Sequence, residues 1–233
     1  MTCISCGKEH NENYCSNCGE KGNNAPINFT SFIKDSFSII TNMDKGFLFN
    51  IKALFNNPKI FITEYLNGKR KGIFNPISFL FISITIYLIA ANFLNVQKAS
   101  SHIESSSNPL RSISYQIGVF IRTYLKYFWI FSIVPLAISL KLFLKRYNFT
   151  ELLAVSCFFI GQATLLATVS HFCFRAPLIF DPVIYLFIML QIYRVIKTQN
   201  KAESLLMAFA NTIIFILLLI VVVVLIGIVK SLY

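Results

Sequence analysis

Ile213-Ile214-Phe215-Ile216-Leu217-Leu218-Leu219-Ile220-Val221-Val222-Val223-Val224-Leu225-Ile226-Gly227-Ile228-Val229 holds no charge and almost no polarity. With the apolar residues before it, from Ser204 on, it forms a run long enough for the roughly 20 residues that cross a ~30 Å hydrocarbon layer. Only a helix or a closed barrel satisfies its own backbone in lipid, and a continuous apolar run reads as helix. Working back along the chain, similar runs occupy 76–95, 127–145, 149–172 and 180–196. About five transmembrane helices are expected, in an all-α membrane domain over 76–233. The segment 180–196 is the shortest, because Asp181-Pro182 reads as an N-cap followed by a first-turn proline. A half-crossing, re-entrant path is the alternative for it.

Composition agrees. The 233 residues are 55% hydrophobic and 15% aromatic, and only 13% are charged, against about a quarter in ordinary soluble domains. The net charge of +11 would point to nucleic acid in a soluble protein. Here the basic residues flank apolar runs, where they meet headgroups and set orientation. With the N-terminus inside, fifteen of the 21 Lys and Arg fall on inner segments. The positive-inside rule therefore places the N-terminus in the cytosol and the C-terminus outside. Met1 to Cys6 lacks a basic, then apolar, signal pattern, so the first span is expected to do the targeting.

The strongest motif is Cys3-x2-Cys6-x8-Cys15-x2-Cys18 within residues 1–24. Two paired thiolates on tight turns can surround one Zn2+, and Gly7 and Gly19 follow each pair where the chain must turn sharply. Two disulfides, or a redox pair, are the competing reading. A short module without a secretion signal is expected on the reducing side of the membrane, where thiols stay free for metal. Four cysteine ligands leave no open position, so the site reads as structural zinc that supplies most of the module's folding energy. Side chains here sum to −1 with His10 neutral, which argues against nucleic acid and for docking of a cytosolic or membrane protein.

Residues 25–75 connect this zinc ribbon to the first span. Gly22-Asn23-Asn24-Ala25-Pro26 is linker-like. Beyond it, Phe47, Leu48, Ile51, Leu54 and Phe55 share one helical face, with Lys45, Asn50, Lys52 and Asn56 opposite. Asn57-Pro58 starts a second short helix over 58–67 and Gly68 stops it. Lys52, Lys59, Lys69, Arg70 and Lys71 are expected at the membrane surface, each contributing about 1 kcal/mol against anionic headgroups. A solvated pair of helices packed on the spans is the bland alternative.

Within the spans, Asn148/Glu151 and Asn200/Glu203 have capping-box spacing. The polar loop 99–109 is followed by Ile113, Ile117, Phe120, Ile121 and Tyr124 at helical spacing, a stretch that either lies on the membrane or lengthens the second span. Gln162, His171 and Asp181 form a candidate intramembrane polar site for a proton or ligand. The competing reading puts His171, Cys173, Arg175 and Asp181 in the headgroup zone as caps and snorkelling groups. Cys157 and Cys173 read as packing residues. Gln162, Gln191 and Asn211 read as inter-helix hydrogen-bond partners. No H-E-x-x-H, G-x-S-x-G or phosphate-binding loop is present, which weakens an enzyme reading. A small-solute or ion transporter using the polar residues of spans three to five is the second functional class, and catalysis at His171 and Asp181 the third.

Tyr14-Cys15-Ser16-Asn17-Cys18-Gly19, Asn57-Pro58-Lys59-x5-Tyr65-Leu66-Asn67-Gly68-Lys69-Arg70 and Asn75-Pro76 together resemble a bacterial membrane family known as domain of unknown function 3667. The resemblance covers about the first 90 residues and implies a multi-pass protein of a bacterial cytoplasmic (inner) membrane with a cytosolic thiol module. It implies no activity. In span count and in its proline-led helix before the first span, the chain is more distantly similar to Yip-type five-span proteins of membrane trafficking, from which no functional residue is carried over.

Overall fold

A computed structural model describes residues 2–19 apart from Ile4, Ser5, His10 and Glu12, then Phe29, 46–70, 72–95, 129–175, 177–196 and 200–232. Lys71, the linker 20–28, the loop 99–109, the stretch 113–124 and the first two residues of the expected second span lie outside the described residues. Among the described residues there is no β-strand, and Thr2 and Glu9 form an isolated antiparallel bridge. The helices are α1 (Gly46–Asn56), α2 (Pro58–Leu66), α3 (Pro76–Asn95), α4 (Ile133–Phe143, led in by a 3-10 turn Trp129–Ser132), α5 (Phe149–Phe174), α6 (Pro182–Ile196) and α7 (Lys201–Leu232).

The starts and stops follow local chemistry. Asn75 accepts from the N–H groups of Ile77 (2.9 Å) and Ser78 (3.4 Å), and Asp181 accepts from Val183 N–H (2.9 Å). Each puts its carboxylate or amide oxygen on a donor that the helix start leaves unpaired, with proline in the next position. At α5, Glu151 Oε2 accepts the Asn148 N–H at 2.8 Å, completing a capping box. α2 ends in a Schellman turn: Lys69 N–H bonds Glu64 O and Gly68 N–H bonds Tyr65 O, with Gly68 at φ +101°, a conformation open to glycine at little cost.

Among the described residues, three helices are long and apolar enough to cross a membrane: α3 over Pro76–Phe93, α5, and α7 over Lys201–Leu225. The other two apolar segments are shorter. Trp129–Phe143 is the described part of one, and Pro182–Ile196 gives about 22 Å at 1.5 Å per residue, short of a ~30 Å core. Asp181-Pro182 accounts for the second case, since the cap fixes where α6 begins.

α5 is the hub, packing on α3, α4 and α6, while α7 closes on α4 and α6. Of α5's apolar stretch 83% is buried, against 28% for α7. α7 turns Leu206, Phe209, Leu217 and Ile220 outward, a greasy face that suits lipid and not water. Phe79 meets Gly161 and, two to three turns further along both helices, Tyr87 meets His171. α3 and α5 therefore run in the same sense. With only 144–148 and 197–200 to join them to the helices they pack on, α4 and α6 run against their successors.

α1 and α2 fold as a hairpin onto α5 and α6. Their buried face departs from the sequence expectation. Asn50, expected on the polar face, is fully buried, whereas Leu48 and Phe55, expected to share one face with Phe47, Ile51 and Leu54, are 73% and 56% exposed. The reason is a two-way bond across 24 residues: Asn50 Nδ2 donates to Phe74 O (3.0 Å) and Asn50 Oδ1 accepts from Phe74 N–H (3.1 Å). An amide that satisfies both polar groups of one residue's backbone is at home in the interior, and it rotates α1 about its axis accordingly.

Candidate metal centre and polar contacts of the bundle

The four N-terminal thiols converge. Sγ atoms of Cys3, Cys6, Cys15 and Cys18 all lie within 4.8 Å of one another, with Cys3 to Cys18 at 3.4 Å and Cys6 to Cys15 at 3.6 Å. Four sulfurs at about 2.3 Å from one ion in a tetrahedron stand about 3.8 Å apart, so the cluster has the dimensions for a metal ion. Disulfides would need about 2.05 Å, and all four cysteines are free. Both of these approaches pair one thiol from each Cys-x-x-Cys, so an ion there would tie the two turns together.

Each turn is built the same way. Gly7 N–H donates to Cys3 O at 2.9 Å and Gly19 N–H to Cys15 O at 2.7 Å, with the glycines at φ +74° and +71°, where any side chain is strained. Cys3 N–H bonds Lys8 O at 3.0 Å, so the chain folds back on itself after the first pair. Cys3 and Cys15 are buried and Cys6 is exposed. A backbone hydrogen bond from Lys8, aided by the Asn17 side chain, pulls the Cys6 thiol down to about 6. The thiolate, which is the form that binds metal, is thus favoured at neutral pH.

The basic residues are more dispersed. Lys52 and Lys59 are exposed on α1 and α2. Lys69 pairs with Glu64 at 2.9 Å, and Arg70 is partly buried in the turn before α3. Arg194, on the last turn of α6, donates to Phe55 O at 2.7 Å and so holds α1 against the bundle.

Gln162 does not share a site with His171 and Asp181. Gln162 Nε2 donates to Ile51 O (3.2 Å) while Gln162 Oε1 accepts from Gln191, linking α1, α5 and α6. His171 lies nine residues further along α5, about 13 Å at helical rise. There its ring stands edge-on to Tyr87 with centroids 5.7 Å apart. His171 and Asp181 are both buried, and Asp181 is the cap of α6. Cys173 and Arg175 are exposed, and Cys157 is wholly buried.

Other polar side chains within the bundle also join helices. Ser139 Oγ donates to Asn211 Oδ1 (3.1 Å) and Asn211 Nδ2 to Ser139 O (3.0 Å), fastening α4 to α7. Trp129 Nε1 donates to Thr164 Oγ1 (2.9 Å), fastening the start of α4 to α5. Sequence reasoning flagged Gln162, Gln191 and Asn211 but missed Asn50, Tyr87 and the Trp129–Thr164 bond. The lone tryptophan in an apolar stretch was the available signal, since a buried indole N–H needs an acceptor.

No curated protein and no solved structure matches the chain. A family described as protein of unknown function (DUF3667) matches residues 44–88, which comprise the α1–α2 hairpin, the turn through Phe74 and most of α3, and leave the four cysteines outside.

Proposed function

We propose that this chain is a non-enzymatic, multi-pass protein of a bacterial cytoplasmic membrane whose cytosolic thiol module binds Zn2+ structurally and docks a partner protein. The observation that carries the reading is the closed set of four thiols within 4.8 Å: four cysteines fill a tetrahedron and leave no position for a substrate. An all-sulfur tetrahedron suits zinc or iron, and the reading takes zinc because paired cysteine knuckles are the usual frame of structural zinc sites. Cytosolic placement is supported by the free thiols and by the excess of Lys and Arg on inner segments.

The bundle supports a scaffold role. Its buried amides bond from helix to helix, the use such groups have in holding transmembrane helices together. α4 and α6 run counter to α3, α5 and α7, so in this reading the chain crosses five times and the C-terminus lies outside.

Co-purification tests docking. Full-length protein extracted from membranes is compared with the Cys15→Ser/Cys18→Ser variant for its bound proteins. Loss of a defined partner from the variant, with the bundle still folded, supports docking, and an unchanged set of bound proteins refutes it. Recovery of the whole chain as a soluble monomer without detergent would overturn the membrane reading.

A further inference from the structure

We propose that the α1–α2 hairpin is a lipid-docking element whose outer face seats in an anionic leaflet, with Leu48, Phe49, Phe55 and Ile60 among the upper acyl chains and Lys52 and Lys59 at the phosphates. This goes beyond partner docking by the thiol module and rests only on the bundle lying in a bilayer.

The hairpin's orientation is fixed from its inner side. Asn50 is locked to Phe74, the Ile51 carbonyl takes the Gln162 amide, and the Phe55 carbonyl takes Arg194. On α2, Phe61 and Tyr65 both stand edge-on to Phe158 of α5 at 5.1 and 5.2 Å. α1 cannot roll to hide its other side.

That other side is apolar. Leu48, Phe49, Phe55 and Ile60 are each at least half exposed, on two helices of 11 and 9 residues. A helix pair facing water shows the reverse pattern, with its large apolar groups inside. The patch is also continuous with the bundle's outer wall. Phe55 stacks on Phe187 of α6 with centroids 6.3 Å apart, and α6 turns Leu186 and Leu190 outward beside it.

Charge then selects the occupant. Lys52 and Lys59 are exposed on the hairpin, and its acid, Glu64, is held by Lys69. α1 meets the last turn of α6, where Arg194 takes the Phe55 carbonyl, and α2 is followed by Lys69 and Arg70 just before α3, so further basic residues flank the hairpin. In a symmetric contact between two copies, each lysine-bearing patch would face another of the same sign. A leaflet of anionic lipid offers acyl chains to the phenylalanines and phosphates to the lysines together.

Tryptophan scanning in vesicles tests this. The chain has a single native tryptophan, so the emission added by Phe49→Trp is read by difference from the unsubstituted protein. Full-length protein is reconstituted into phosphatidylcholine vesicles with or without one part in three of phosphatidylglycerol, each with lipids brominated high on the chain. The added emission is expected to fall at least twofold with brominated lipid and little with aqueous acrylamide. Quenching should weaken without phosphatidylglycerol and in the Lys52→Gln background, in line with about fivefold in partitioning per charge. Ile60→Trp repeats the reading on α2 should Phe49→Trp fail to fold. Strong acrylamide quenching would show a solvated hairpin, and quenching by neither agent a protein-covered one; either overturns the proposal. Lipid quenching indifferent to phosphatidylglycerol and to Lys52 overturns its anionic part. Failure of the chain to enter vesicles removes the membrane reading itself, while leaving partner loss from the cysteine variant a separate question.

Discussion

Adding one methyl group at Gly161 should force α3 and α5 apart. A Cβ built there would sit 2.8 and 2.9 Å from two ring carbons of Phe79 and 3.3 Å from the Leu80 Cα, where ordinary carbon contacts begin at about 3.5 Å. The ring has nowhere to go. Phe79 is fully buried and is held by Phe47 at 5.2 Å and Phe158 at 5.9 Å between centroids. Overpacking of this kind costs about 1–3 kcal/mol. The gain in helix propensity on replacing glycine by alanine returns up to about 1 kcal/mol in water, so a net loss of about 1 kcal/mol, the middle of the overpacking range less that gain, is expected for Gly161→Ala. For a domain of this size each kcal/mol lowers Tm by about 2–4 °C, measured on detergent-solubilised protein through Trp129 fluorescence. Phe79→Leu makes room for the methyl, so the double variant Gly161→Ala/Phe79→Leu should be more stable than the sum of the two single effects predicts. A Gly161→Ala protein as stable as the parent, or strictly additive effects in the cycle, would refute the close packing of α3 on α5.

Asn50→Ala leaves both the N–H and the C=O of Phe74 without their partner. At about 1–3 kcal/mol for each stranded group, the α1–α2 hairpin should detach, seen as faster backbone amide exchange over 46–66 than over α5. Ser139→Ala should cost much less, about 0.6 kcal/mol, as is usual for a single hydrogen bond between transmembrane helices, measured by the same thermal assay. Metal binding should be pH-dependent in a defined direction. Protons compete with the ion for the four thiolates, and the lowered Cys6 thiol is already ionised at neutral pH. Cobalt substituted into the site should therefore keep its thiolate charge-transfer absorption at neutral pH and lose it on acidification.

Much of the architecture was legible because it is written in local chemistry. The apolar runs, the Asn75-Pro76 and Asp181-Pro182 starts, the Asn148/Glu151 box and the Gly68 stop all act over a few residues. The two Cys-x-x-Cys-Gly turns likewise carry their geometry in their own spacing. Contacts between distant segments left no such trace. Periodicity placed Asn50 on the polar side of α1, since nothing local announces the backbone groups 24 residues away that will satisfy it. Gln162 was grouped with His171 and Asp181 as polar residues at depth, yet helical rise alone sets it about 13 Å from His171. Gly161, in the most buried helix, carries its meaning only through the Phe79 ring laid across it.

The decisive measurement is the metal content of full-length protein extracted from membranes in mild detergent, determined by elemental analysis per mole of chain. One zinc per chain, reduced to none in Cys15→Ser/Cys18→Ser, is the predicted result. A metal-free chain, or one carrying iron in place of zinc, would contradict it.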